Sequence, residues 1–65
     1  MKITVNGKAH ETAAATLAAL IDELGYGDET IGTARNRAFV RAADRRQTPV
    51  KDGDEIEVLT PRQGG

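Results

Sequence analysis

The sequence predicts an α+β domain, a mixed sheet of four to five strands with one main helix packed on one face. Three observations carry this reading. An alternating segment at the start meets the turn pair Asn6-Gly7, the stretch Leu17 to Leu24 has helical apolar spacing, and a second alternating segment, Glu55 to Leu59, lies near the end. At 65 residues the chain holds one domain with a small core. Ten of its apolar residues are alanine, so Ile, Leu and Val, with Met1, Tyr26 and Phe39, must do most of the burying. A deep catalytic pocket is hard to build from this material, and an interaction module is easier.

Met1 to Asn6 alternates apolar and polar, with Met1, Ile3 and Val5 turned inward and Lys2 and Thr4 outward. Opening on this strand, the chain is expected to have no leader arm. Asn6-Gly7 is a strong two-residue hairpin signal, and a weaker second strand is expected from Lys8 to Ala13. Leu17, Leu20, Ile21 and Leu24 stand at i, i+3, i+4 and i+7, with Thr16 as N-cap and Gly25 as C-terminal stop. Asp22 and Glu23 oppose the helix dipole at that end. A turn-rich stretch around Tyr26 to Glu29 leads to a strand read from Thr30 to Asn36, where Gly32 and Ala34 are small enough to let a helix approach closely. Asn36-Arg37 makes a turn into the short strand Ala38-Phe39-Val40. Ala42 to Thr48 reads as polar and irregular, Asp52-Gly53-Asp54 as a turn, and Glu55 to Leu59 as a strand with Ile56 and Val58 inward. The first and last strands are separated by a whole helical crossover and can pair in parallel. This is the β-grasp, ubiquitin-like arrangement, and it leaves one sheet face open for partners.

Nine basic residues oppose ten acidic ones, a net charge of −1, which gives no electrostatic case for nucleic acid or membrane as partner. There is no cysteine, which excludes disulfides, thiolate metal sites and a cysteine nucleophile. No apolar run approaches the ~20 residues of a membrane span and no signal peptide is legible, so a cytoplasmic location is expected. His10 is a lone histidine on a strand and reads as an edge residue. Asp52 and Asp54 are too few ligands for a calcium loop. Tyr26 and Phe39 read as core or core-edge residues. No metal site, no bound cofactor and no catalytic set is expected.

The last segment is Thr60-Pro61-Arg62-Gln63-Gly64-Gly65. Pro61 cannot donate to a sheet ladder, so pairing should end there. Two terminal glycines can thread a narrow channel in another protein and leave the terminal carbonyl unshielded. A carboxylate is a poor electrophile, so it would need activation by a partner.

The chain resembles the ThiS family of thiamine-pathway sulfur carriers along its whole length. The matching features are the start Met1 to Gly7, the stretch Leu17 to Leu24, Ala34-Arg35-Asn36, Val50 to Val58, and Gln63-Gly64-Gly65. That resemblance implies a β-grasp domain over residues 1–60 and a flexible tail over 61–65. It implies that the Gly65 carboxylate is adenylated by a ThiF-like enzyme that uses ATP. Sulfur from a donor protein would then convert it to a thiocarboxylate, which supplies a ThiG-like thiazole synthase. The chain would be a co-substrate and not an enzyme, with Arg62, Gln63 and Gly64 recognised as the tail. Arg35, Arg37 and Arg41 are candidates for partner docking. The segment Ala42 to Arg46 lacks the aromatic residue that many relatives carry, and Arg35 replaces a larger apolar one. The alternatives are a carrier for molybdopterin or another sulfur pathway, a ubiquitin-like protein modifier, and an interaction module with an inert tail.

Overall fold

The computed structural model describes residues 1–61. The expected tail positions Arg62, Gln63, Gly64 and Gly65 lie outside the described residues. The chain forms β1 (Lys2–Val5), β2 (Lys8–Glu11), α1 (Leu17–Glu23), β3 (Gly32–Arg35), β4 (Ala38–Val40), a 3₁₀ helix (Ala42–Gln47) and β5 (Glu55–Leu59). One sheet of five strands has the order β2-β1-β5-β3-β4, with β1 and β5 parallel and the other neighbours antiparallel. The β-grasp expectation holds, and it makes β5 the central strand.

Both hairpins turn on two residues in the left-handed region. Asn6 and Gly7 have φ of 51° and 84°, and Asn36 and Arg37 have 51° and 71°. Positive φ at both central residues matches the twist of the flanking strands. Helix α1 starts where Thr16 accepts from the Ala19 N–H at 3.2 Å. It ends in a Schellman motif, in which the Gly25 N–H reaches Asp22 O at 3.0 Å and the Tyr26 N–H reaches Ile21 O at 3.2 Å. Gly25 has φ of 89°, which only glycine adopts cheaply. The core beneath the helix is Ile3, Leu17, Leu20, Ile21, Val50, Ile56 and Val58, with Tyr26 packed at its margin.

Several expectations need correction. The second strand stops at Glu11, because the Thr12 hydroxyl turns to accept from the Ala14 N–H at 2.9 Å and donates to Glu23 at 2.8 Å. Strand β3 is shorter than Thr30 to Asn36. Its first residue, Gly32, already faces Leu59, the last residue of β5, and Asn36 has turned to positive φ. The segment from Ala42 is a 3₁₀ helix, not an irregular stretch. The Asp44 N–H reaches Arg41 O at 2.9 Å, and the Thr48 N–H reaches Arg45 O at 3.3 Å. No residue in it is buried, so it carries no apolar period to be read. Met1 is exposed rather than inward. Its ammonium instead donates to Thr12 O at 2.7 Å.

Phe39 is the largest departure. It is 73% exposed, on the face away from the helix. Thr33, Ile56 and Val58 are buried, so the alternate residues Gly32, Ala34, Glu57 and Leu59 face outward with it. The small residues Gly32 and Ala34 therefore do not receive the helix.

Candidate functional site

Strand β5 leads directly into the tail, and its outward side is the place to look for a docking surface. The register sets Ala34 opposite both Phe39 and Glu57, and Gly32 opposite Leu59. Phe39 and Leu59 are 73% and 70% exposed, and only small side chains stand between them. Two large apolar groups on one uncovered sheet face form a patch of the kind that partners cover. It runs diagonally from Phe39 on β4 across Ala34 and Gly32 on β3 to Leu59 on β5, one residue before Thr60, with Glu57 beside it on the same face. A depression lined by Glu29, Thr30, Thr60 and Pro61 flanks the same end. The sequence held one signal for Phe39: a two-residue turn at Asn36-Arg37 forces Ala34 and Phe39 onto the same face.

The three candidate docking arginines part company. Arg35 points to the helix side of the sheet, opposite Ile56, and its side chain is only 27% exposed. Its Nε donates to Asp54 Oδ2 at 2.7 Å and its terminal nitrogen to Asp54 Oδ1 at 3.4 Å. Arg37 is 83% exposed on the β3–β4 turn, 3.5 Å from Glu55. Arg41 is exposed beside Asp44 at 3.2 Å. Exposed pairs of this kind hold their partners weakly and leave the cations open to exchange. Arg37 and Arg41 thus remain at the surface, whereas Arg35 is committed to the fold. A further arginine is also structural: Arg45 donates to Ile31 O at 2.8 Å and to the Thr33 hydroxyl at 3.0 Å.

Asp54 is the buried end of the Arg35 pair. It also accepts from the Lys51 N–H at 2.8 Å and from the Asn36 amide at 3.1 Å. Burial would raise its pKa, but the hydrogen bonds from Arg35, Lys51 and Asn36 and the guanidinium charge outweigh burial and hold it below the usual carboxylate range. At the end of α1, Glu23 is lowered by hydrogen bonds from His10 and Thr12. His10 thus ties β2 to the end of α1. Among the described residues no three His, Asp or Glu side chains gather closely enough to hold a metal ion. No helix among them is long and apolar enough to cross a membrane.

Comparison with known proteins agrees with this architecture. The model of the ThiS family matches residues 3–65. The crystal structure of a thiamine biosynthesis protein (ThiS) from Geobacter metallireducens superposes with a TM-score of 0.83 at 30% identity, over all of both chains. A solution structure of a thiamine biosynthesis protein from the same organism gives 0.80 at 30% identity, covering this whole chain and 88% of the other. Two thiazole synthases contain a similar segment. The one from Paramagnetospirillum magneticum is 33% identical over 66 aligned positions, and the one from Magnetococcus marinus 35%. In both cases the whole of this chain is covered, but it spans only 20% of the synthase. The family match, the five-stranded sheet and the superposition agree, and the chain belongs to the ThiS family.

Proposed function

We propose that this chain is a sulfur carrier whose working group is the Gly65 carboxylate. The observation that carries the reading is the direct continuation of the central strand, β5, into Thr60-Pro61-Arg62-Gln63-Gly64-Gly65 in a member of the ThiS family. A ThiF-like enzyme binds the body and takes the tail. A Gly65 carboxylate oxygen attacks the α-phosphorus of ATP, expelling pyrophosphate and leaving an acyl adenylate. The terminal sulfur of a donor protein's persulfide then attacks the acyl carbon and expels AMP, and a thiol cleaves the resulting acyl disulfide, forming a disulfide with the donor and releasing the thiocarboxylate that a ThiG-like thiazole synthase consumes. ATP belongs to the activating partner. Gly64 and Gly65 suit this role because no Cβ blocks the channel or shields the carbonyl.

The apolar face bearing Phe39 and Leu59 suits the docking step, with Arg37 and Arg41 at its flank and Arg62 on the tail as charged guides. The likeness to segments of two thiazole synthases supports thiazole synthase as the acceptor over a molybdopterin or protein-modifier pathway. The test is ATP–pyrophosphate exchange with a ThiF-like enzyme. The intact chain should support exchange, and a chain lacking Gly64 and Gly65 should not. An intact chain that supports no exchange, with an enzyme active on its own carrier, removes the proposal.

A further inference from the structure

Strand β5 has a backbone partner on each side, but neither partner runs its full length. Strand β1 pairs with it only at Glu55 and Ile56 before the chain turns away at Asn6. Strand β3 covers Ile56 to Leu59 and turns away at Asn36. Each gap is filled by a side-chain amide. The Asn6 N–H donates to Ile56 O at 2.9 Å, and the side chain then continues the ladder. Its Oδ1 accepts from the Val58 N–H at 2.8 Å, and its Nδ2 donates to Val58 O at 3.2 Å. At the other end the Asn36 N–H donates to Glu55 O at 2.7 Å, and its Oδ1 accepts from the Glu55 N–H at 2.9 Å.

The two asparagines are placed alike, although the Asn36 Nδ2 donates to Asp54 Oδ1 at 3.1 Å and not to β5. Each is the first residue of a two-residue turn, each has φ of 51°, and each grips the central strand where its own strand ends. Asparagine is one of few residues that tolerates this φ while carrying both a donor and an acceptor. The two differ in position. Asn36 holds the start of β5, and Asn6 holds Val58, two residues before Thr60.

We infer that Asn6 is a positioning residue for delivery of the C-terminus, clamping the end of β5 that precedes residues 60–65. This role rests on the carrier reading above. Six residues span at most about 20 Å, so the body must present its root at a fixed place and direction for the tail to enter a partner's channel. A clamped root lowers the ordering cost of that entry. Once the tail is seated the partner holds it, so the clamp affects entry and not the chemical step.

Asn6→Gly separates the grip from the turn, because glycine accepts the positive φ and lacks the amide. Exchange of the Val58 amide hydrogen in the free chain should quicken by about tenfold, the effect of losing one or two hydrogen bonds. The amide of Leu24, within the helix end, should be unchanged. With the activating enzyme, the KM for the carrier should rise roughly threefold to tenfold at nearly constant kcat, the pattern of lost uniform binding. Asn6→Asp, which keeps the acceptor but sets an anion against Val58 O, should shift KM in the same direction. Asn36→Gly should quicken exchange at Glu55 and lower thermal stability at least as much, since it also removes a donor from Asp54, yet leave KM unchanged. Unaltered Val58 exchange in Asn6→Gly overturns the clamp, and equal KM changes in Asn6→Gly and Asn36→Gly overturn its specific role in delivery. A native chain that the enzyme ignores overturns the carrier reading and with it the delivery role, whereas a native chain activated no better than Asn6→Gly overturns the delivery role alone.

Discussion

Asp54 shows how a residue read as part of a turn can hold a fold together. It is 6% exposed and gathers Arg35, Asn36 and the Lys51 N–H, so it joins the β3–β4 turn to the start of β5. Its neighbour Asp52 accepts from the Lys2 N–H at 2.8 Å, and the Gly53 N–H donates to Lys2 O at 2.8 Å, pinning the same loop to β1. Nothing in the local sequence marks Asp54 as buried, because its partner is 19 residues away. Arg35→Ala should cost about 1–3 kcal/mol by leaving a buried carboxylate short of donors, toward the lower end because the guanidinium is partly solvated. Arg35→Glu should cost more, since it sets two carboxylates together.

Asp54 in this cluster and Glu23 beside His10 and Thr12 give a pH dependence with a fixed sign. Asp54 and Glu23 both titrate below their ordinary values of about 3.9 and 4.3 when folded. The stability they contribute is therefore fully present above those values and is lost as pH falls through the depressed folded ones. Urea midpoints should stay level from about pH 7 to 5 and drop below about pH 4. Asp54→Asn should be less stable at neutral pH and show a shallower acid drop. Parallel profiles for the two proteins would mean that Asp54 is not the coupled group.

At the scale of elements, legibility followed periodicity. The helix was readable in every part, because its apolar stripe, its Thr16 cap and its Gly25 stop are all local. Leu20 and Ile21 are buried as the stripe requires, and Leu20→Ala should cost about 2–5 kcal/mol in denaturant titration. Strands β1 and β5 were readable by alternation. The 3₁₀ helix was not, since it buries nothing and is held by polar contacts such as the Thr48 hydroxyl on Asp44 O at 2.8 Å. Phe39 was misread for a different reason. Apolar character signals burial only where a second layer exists, and this sheet has its helix on one face alone. Phe39→Ser should therefore change stability by no more than about 0.5 kcal/mol, while raising the KM for the carrier with the activating enzyme. A large loss of stability with unchanged kinetics would place Phe39 in the core after all.

On the proposed reading, the molecule divides its work between a folded body and the carboxylate of Gly65. The body's hydrogen bonds converge on β5, which is laced from Glu55 to Val58 by β1 and Asn6 on one side and from Glu55 to Leu59 by β3 and Asn36 on the other. Residues 3–65 match one family, so the Gly-Gly end belongs to the same pattern as the core. Deleting Gly64 and Gly65 should leave the melting temperature nearly unchanged, because a terminal glycine pair buries little surface, and should abolish activation. A deletion that destabilises the chain as much as Leu20→Ala would make the terminus a structural element instead.

Whether Gly65 carries sulfur is read by mass spectrometry of the chain after reaction with the activating enzyme, ATP and a sulfur donor. Replacing one carboxylate oxygen by sulfur adds about 16 Da, and with no cysteine in the sequence no thiol persulfide can contribute to the shift. An added oxygen has nearly the same nominal mass, so Met1 oxidation is separated by fragmentation. The shift should fall on the C-terminal peptide, localised to Gly65 and absent when ATP is withheld. A C-terminal peptide that stays unmodified under conditions in which the enzyme thiocarboxylates its own carrier would contradict the carrier reading.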